Sequence, residues 1–150
     1  MKNVDPLVDW DEPQSIKLWG SKVLPHPALP WLDYINYYIH PDVVSVVGRL
    51  LIPAFVEHEG GVFLQDRFTI SIYDRWNAKL STINEVEKII NHQHVYDLFS
   101  IDEEISDSSF ETVAKLMSNT LHMALSCSFP ERKFHVYVSN SEVDYGPTVG

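Results

Sequence analysis

Residues 108–138 read SSFETVAKLMSNTLHMALSCSFPERKFHVYV and predict a long amphipathic helix followed by a strand. Ser108 and Glu111 have the spacing of a capping box, which predicts that the helix begins at this serine. Pro130 cannot continue the helix, and the apolar–polar alternation of residues 134–138 is typical of a half-buried strand. The apolar residues of the helix recur at steps of three and four on one face: Phe110, Val113, Ala114, Met117, Leu121, Ala124 and Leu125. A helix with one apolar face needs a sheet to pack on.

The middle of the chain, residues 43–68, is expected to supply the strands of that sheet. Residues 43–52 are apolar and rich in β-branched valine, which favours a strand. A hairpin turn is expected at residues 57–61, because its pair of glycines adopts a positive φ at little steric cost. Together with residues 134–138, this hairpin predicts a sheet of at least three strands.

Helices are expected on both sides of this strand-rich region. Pro30 suits the first position of a short helix, which Pro41 is expected to end. Another helix is expected within residues 68–80. Thr82 and Glu85 form a second capping box, which predicts the start of a further helix.

The pattern as a whole predicts one α+β domain of residues 1–150, with a small antiparallel sheet packed with several helices. A chain of 150 residues is long enough to bury a sizeable core. Residues 1–30 are rich in proline and also carry large apolar side chains. They are therefore expected to form an arm that packs on the body of the protein.

The net charge is the most informative feature of the composition, with 21 acidic and 11 basic residues giving −10. Such a charge repels nucleic acid and anionic membranes and favours basic partners, although many acidic proteins carry it for solubility alone. The single cysteine excludes an intrachain disulfide and suits a reducing compartment. The N-terminus has no apolar signal-peptide core, and no apolar run has the length of a membrane span, so a cytoplasmic protein is expected.

The acidic residues cluster, most densely within residues 102–111. The positions of Asp107 and Glu111 are explained by the helix dipole, because negative charge interacts favourably with the N-terminal end of a helix. Glu57 and Glu59 belong to the expected hairpin turn. The remaining members of the dense cluster are expected to face outward as a contact surface: Asp102, Glu103 and Glu104.

His92 and His94 form a tight histidine pair. In a strand, residues i and i+2 share a face and can ligate one metal ion, whereas on a helix their side chains diverge by about 200°. The neighbouring pattern is helical, so no metal site, cofactor or catalytic residue is expected. Cys127 stands in an apolar context and is expected to be a buried, unreactive thiol. Two alternatives remain open: a small metal-dependent enzyme that uses this histidine pair, and an acidic scaffold subunit.

Residues 87–99 read EKIINHQHVYDLF and resemble a signature of one group of bacterial immunity proteins. These are the immunity proteins of contact-dependent growth inhibition systems that neutralise ribonuclease toxins. The setting at a helix end suggests a structural role, in which polar side chains fix a chain reversal and cap exposed backbone. The matching residues are Glu87, Asn91, His92, His94 and Asp97.

The resemblance implies an α+β protein without activity of its own, which binds its cognate toxin and covers the toxin's active site. A nuclease that cleaves RNA presents a basic cleft, and an acidic protein can occupy that cleft in place of RNA. The expected partner is therefore a basic nuclease domain, a ribonuclease by the resemblance, and neither nucleic acid nor a membrane. The centre of such an interface also needs an aromatic or apolar anchor. The expected toxin-binding residues are Asp102, Glu103, Glu104, Glu57, Glu59 and Tyr145.

Overall fold

The computed structural model describes residues 12–99, 106–140 and 145–150. Its elements in chain order are α1 (Gln14–Lys22), α2 (Pro30–Tyr38), α3 (Pro41–Leu51), β1 (Phe55–His58), β2 (Gly61–Leu64), α4 (Ile70–Asn77), α5 (Ile83–Ile90), β3 (Gln93–His94), a 3₁₀ helix (Val95–Leu98), α6 (Asp107–Ser128), β4 (Val138–Ser139) and β5 (Thr148–Val149). These helices and short antiparallel strands confirm the α+β class. The chain divides into two compact units, Met1–Gly48 and Arg49–Gly150. Within the described ranges, no helix combines the length and the apolar character needed to cross a membrane.

The first unit is built on the packing of α1 against α2. Trp19 of α1 lies edge-on to the rings of Tyr34 and Tyr38, at centroid distances of 5.3 and 5.8 Å. The indole Nε1 of Trp19 also donates a hydrogen bond to the hydroxyl of Tyr38 (3.3 Å). Pro30 occupies the first turn of α2, which confirms the predicted helix start. Gly20 allows the close approach of Pro30, because a Cβ atom at this glycine would lie 2.9 Å from the proline Cβ.

Residues 43–52 do not form the predicted strand, because most of them lie in α3. Pro41 is the first residue of this helix, a position that suits the fixed φ of proline, and the ring Nδ1 of His40 accepts a hydrogen bond from the amide of Asp42 (3.2 Å). The valines also recur at steps of three and four, which is a helical spacing. These local signals override the weak β-propensity of valine. Pro41 therefore begins α3, while α2 already ends at Tyr38.

β1 and β2 form the predicted hairpin, with His58 opposite Gly61 next to the turn. The turn has two residues, Glu59 at φ 45° and Gly60 at φ 87°. Two consecutive positive φ angles are typical of a type I′ turn, which matches the twist of the flanking strands. The prediction that both glycines supply positive φ is wrong, because Glu59 takes that conformation and Gly61 already belongs to β2.

The strands form two separate sheets, so the prediction that the hairpin shares a sheet with the late strand is wrong. The hairpin is one sheet, and the other has the antiparallel order β3–β5–β4. The strand predicted for residues 134–138 begins only at Val138. Before it, Tyr137 and Gly150 exchange two backbone hydrogen bonds of 2.8 and 3.2 Å. β5 is the central strand, and its two residues are too few to show a strand pattern in the sequence.

α6 buries the predicted apolar face in the core of the second unit. Its buried side chains are Phe110, Ala114, Met117, Leu121 and Leu125. They belong to one cluster with side chains from β2, the 3₁₀ helix and β5: Val62, Leu64, Val95 and Val149. A smaller cluster joins β2 to α4 and α5: Phe63, Tyr73, Val86 and Ile90. β2 therefore supplies both clusters, because successive side chains of a strand point to opposite faces.

Only one of the two predicted capping boxes forms. At α5, Thr82 Oγ1 accepts a hydrogen bond from the amide of Glu85 (3.3 Å), and the Glu85 carboxylate accepts one from the amide of Thr82 (3.0 Å). α6 begins at Asp107, so the prediction of a capping box at Ser108 is wrong. Ser106 takes the N-cap position, and its hydroxyl contacts the hydroxyl of Ser108 (2.9 Å). A run of serines offers several possible starts, and residue spacing does not choose among them.

Candidate functional site

Glu87 and Asn91 of the 87–99 segment hold the backbone of β2. They stand four residues apart and therefore lie on one face of α5. Glu87 Oε1 accepts a hydrogen bond from the amide of Val62 (2.6 Å), and Asn91 Oδ1 accepts one from the amide of Leu64 (2.9 Å). Asn91 Nδ2 donates to the carbonyl of Val62 (2.9 Å). The side-chain amide of Asn91 thus makes the two hydrogen bonds that a neighbouring strand would otherwise make.

His92 and His94 face each other, so the prediction that their side chains diverge is wrong. α5 ends at Ile90 with Asn91 as its C-cap, and Gln93 and His94 form β3. The Nε2 atoms of the two histidines lie 3.2 Å apart, and their ring planes are inclined by 83°. The helix stops just before the pair, which gives the side chains the shared face of a strand.

Thr148 of β5 fixes the tautomer of the His94 ring. His94 Nδ1 lies 2.9 Å from Thr148 Oγ1, and this hydroxyl donates its proton to the carbonyl of Gly146 (3.1 Å). Since its only proton is used, Thr148 Oγ1 accepts a hydrogen bond from Nδ1–H of His94. The Nε2 atom of neutral His94 then carries a lone pair and faces His92. The side chain of Thr148 is completely buried, which keeps water away from this contact.

An exposed aromatic residue with carboxylates lies next to the histidine pair. Tyr145 contacts the rings of His94 and Tyr96, at centroid distances of 6.3 and 5.6 Å, and is 62% exposed. The Tyr96 hydroxyl donates a hydrogen bond to Asp107 Oδ1 (3.0 Å). The pKa of Tyr96 is raised, first by this hydrogen bond, then by burial and by the negative charges of Asp107 and Glu111. We call these residues the tyrosine–carboxylate patch: Tyr96, Tyr145, Asp107 and Glu111.

Gly146 sets the position of Tyr145 in this patch. It has a φ angle of 74°, a conformation that residues with a Cβ atom rarely adopt. A Cβ atom at this position would also clash with the ring of Tyr96. The glycine therefore lets the backbone turn against Tyr96 and brings Tyr145 over that ring.

Glu57 and Glu59 are the two hairpin acids of the predicted toxin-binding set, and both are exposed. The residues that they contact differ from those that Tyr145 contacts. Glu57 Oε2 lies 3.2 Å from Nη2 of Arg132, an ion pair at the surface. Glu59 Oε2 accepts a hydrogen bond from the hydroxyl of Tyr73 (2.9 Å). The pKa of Tyr73 is raised by burial of its ring, and further by the hydrogen bond to Glu59. These contacts hold both carboxylates beside the hairpin turn.

An open groove of about 480 Å³ lies between the hairpin, α5, α6 and residues 133–137. Its apolar lining includes Leu121, Leu125, Phe134 and Val136, while Lys88 and Lys133 supply positive charge. The ammonium group of Lys88 lies 5.4 Å from the ring centroid of Tyr137. Positive charge does not complement a basic partner, so we do not assign this groove to the candidate site.

The other predictions concern the acids at positions 102–104, Asp97 and Cys127. Asp102, Glu103 and Glu104 lie outside the described residues. Asp97 lies exposed in the first turn of the 3₁₀ helix. The prediction that Cys127 is buried is wrong, because its side chain is exposed near the end of α6. Among the residues of the described ranges, no group of three or more His, Cys, Asp or Glu side chains is placed to hold a metal ion.

The chain was compared with protein-family models, with curated proteins and with solved structures, and no match was found. The resemblance of residues 87–99 to immunity proteins stays a prediction. Of the residues chosen from the sequence, the structure brings His92, His94 and Tyr145 together. Thr148 and Tyr96 belong to the same site but are not among the residues predicted from the sequence: Tyr96 stands inside the 87–99 segment, and Thr148 carries no sequence signal because its role depends on contacts of the folded chain.

Proposed function

We propose that this protein is an immunity protein, which binds a basic nuclease toxin and covers the toxin's active-site cleft. The proposal rests on the resemblance of residues 87–99 to the immunity signature and on the net charge of −10. The observation that carries it is the tyrosine–carboxylate patch, in which Tyr145 stands exposed over two residues of that segment, His94 and Tyr96. The proposed partner is a ribonuclease, and the proposed place of action is the cytoplasm.

The patch has the composition that such an interface needs. An exposed tyrosine supplies a large contact area and loses little conformational entropy, so it serves as an anchor in a pocket of the partner. The carboxylates of Asp107 and Glu111, which lie near Tyr96, add negative charge to the patch. A cleft that binds the phosphates of RNA is lined with cations, and carboxylates can take the place of those phosphates.

The hairpin acids offer a second contact. Glu57 is held by an exposed ion pair with Arg132, and such pairs contribute only about 0.2–1 kcal/mol. A lysine or arginine of the toxin can therefore replace Arg132 at little cost. Glu59 is exposed, and one of its two carboxylate oxygens accepts the hydrogen bond from Tyr73. Asp102, Glu103 and Glu104 precede Asp107 by three to five positions in the sequence, and we propose that they also contact the toxin.

The direct test uses the product of the gene that lies immediately upstream, expressed as its catalytic domain. Cleavage of RNA by this domain is measured while the present protein is added in increasing amounts. We expect cleavage to stop at one molecule of protein per molecule of toxin. A variant with lysine at positions 102, 103 and 104 should require a large excess to stop cleavage.

A second triple variant is the matched control for this experiment. It carries lysine at three exposed acids outside the proposed surface: Asp66, Asp74 and Glu131. Both variants change the net charge by the same amount, so a difference between them reports the location of the charges. Full cleavage of RNA in the presence of excess wild-type protein would overturn the proposed function. Equal inhibition by the two triple variants would show that Asp102, Glu103 and Glu104 are not toxin-binding residues.

A further inference from the structure

We propose that His92 and His94 together bind one divalent transition-metal ion of the zinc class through their Nε2 atoms. Zinc lies about 2.0–2.1 Å from histidine nitrogens, so two such ligands at a tetrahedral angle are about 3.3 Å apart. The two Nε2 atoms are 3.2 Å apart. The pair already has the separation that binding to one ion requires. This inference does not depend on the proposed function.

The two rings share a hydrogen bond between their Nε2 atoms, and their centroids are 4.5 Å apart. Since His94 Nε2 carries the lone pair, His92 Nε2–H is the donor of this bond, and an entering ion replaces that proton. Two histidines that bind one zinc ion at a tetrahedral angle have centroids about 5.2 Å apart. Zinc binding therefore requires a small rotation of the rings, while the separation of the two nitrogens stays nearly the same.

The hydrogen bond between His94 and Thr148 is a second, independent indication. Metal-binding histidines commonly donate the N–H of the other ring nitrogen to an oxygen acceptor, which fixes the ring and its tautomer. His94 Nδ1 makes such a bond to Thr148 Oγ1 (2.9 Å), and Gly146 accepts the threonine proton (3.1 Å). The Nε2 atom of His94 is thereby prepared to act as a ligand.

The backbone around the pair is also fixed. His94 pairs with Thr148 in the sheet, and Arg67 Nη1 donates a hydrogen bond to the carbonyl of His92 (3.4 Å). The backbone therefore needs little rearrangement when an ion enters, which limits the binding free energy lost to ordering the ligands. Water completes the coordination of zinc when the protein supplies fewer than four ligands. The site is therefore open, and the bound ion exchanges with solution.

The test is a zinc titration of the full chain, after treatment with a chelator, followed by isothermal calorimetry. We expect one zinc ion per chain for the wild-type protein and loss of this binding in both His92→Gln and His94→Gln. Glutamine retains hydrogen-bonding groups of similar size, which limits damage to the fold. His122→Gln changes an exposed histidine of α6 and is the matched control, which should bind zinc as the wild type does.

Thr148 provides a test of the supporting hydrogen bond. Thr148→Val removes the acceptor for His94 and should weaken zinc binding by about 10–100-fold, whereas Thr148→Ser should keep it. Nitrogen NMR of the histidine rings identifies the ligands directly, because addition of zinc should shift the Nε2 signals of His92 and His94. No binding of zinc by the wild type, or shifts confined to other histidines, would overturn the proposal. Equal loss of binding in His122→Gln and His94→Gln would do so as well.

Discussion

Asn91 and Val62 lie 29 positions apart in the sequence, and the side-chain amide of Asn91 donates a 2.9 Å hydrogen bond to the carbonyl of Val62. The same amide group accepts a hydrogen bond from the next backbone amide along the strand face, that of Leu64 (2.9 Å). One side chain at the end of α5 therefore fixes the edge of β2. The packing of the second unit depends on this contact, since β2 supplies residues to both apolar clusters.

Asn91→Ala should lower the free energy of unfolding by about 2 kcal/mol. The substitution leaves two half-buried backbone groups of β2 without their partners, and each such loss typically costs about 1–3 kcal/mol. Urea unfolding followed by circular dichroism measures the change. Asn119→Ala, at an exposed position of α6, is the control and should stay within about 0.5 kcal/mol of wild type. Equal stability of Asn91→Ala and wild type would contradict this role of the asparagine.

Comparing the stabilities of Gly146→Ala and Gly60→Ala separates the cost of backbone strain from the cost of a steric clash. Both glycines have positive φ, 74° and 87°, which costs a residue with a Cβ atom about 1 kcal/mol. A Cβ atom at Gly60 meets open space, whereas one at Gly146 runs into the ring of Tyr96. Gly146→Ala should therefore destabilise the protein by about 1–3 kcal/mol more than Gly60→Ala does. Thermal and urea unfolding of the two variants provide the comparison, and equal losses would argue against the tight contact with Tyr96.

The capping box at α5 should make the stability of the protein depend on pH. The pKa of Glu85 is lowered from its ordinary value of 4.5 by hydrogen bonds from the amide of Ser81, the hydroxyl of Thr82 and the amide of Thr82. A carboxyl with a lowered pKa in the folded state stabilises the protein above its ordinary pKa, and this contribution is lost as the pH falls through the lowered value.

Glu85→Gln tests this dependence. The stability difference between wild type and Glu85→Gln should be largest near neutral pH and should shrink as the solution is acidified below pH 4.5. Urea unfolding at a series of pH values measures it. Glu131→Gln removes an exposed carboxylate outside the capping box and serves as the control. If the stability difference between wild type and Glu85→Gln grew on acidification, the proposed stabilisation by the charged form of Glu85 would be contradicted.

The sequence predicts the parts of the fold that depend on neighbouring residues. The apolar face of α6 and the Thr82–Glu85 box are both local patterns, and both are present. The sequence does not predict α3, because its β-branched residues favour a strand and the contact from the amide of Asp42 to the ring of His40 is not a standard cap. The sheet order also depends on β5, whose two residues form no pattern.

The candidate site could be predicted only in part, because one helix boundary decides its geometry. If α5 continued through His94, the two histidines would point apart; because it ends at Ile90, they meet. Boundaries of this kind are the least certain feature of a sequence pattern. The partner of His94 is Thr148, 54 positions away, and nothing in the residues around either one indicates this contact. The neighbouring Glu142 and Asp144 in the sequence favour Tyr145 as an anchor, whereas its position over Tyr96 depends on Gly146.

The most direct test of the proposed function is the rate at which this protein associates with the catalytic domain of the proposed toxin, measured by stopped flow at increasing salt. We predict a rate constant that falls steeply with ionic strength, and that drops at least 10-fold at low salt when lysine replaces Asp102, Glu103 and Glu104. Tyr145→Ala should leave association unchanged and speed dissociation, as expected for an anchor in the bound complex. A rate constant that is independent of both salt and this charge reversal would contradict the account.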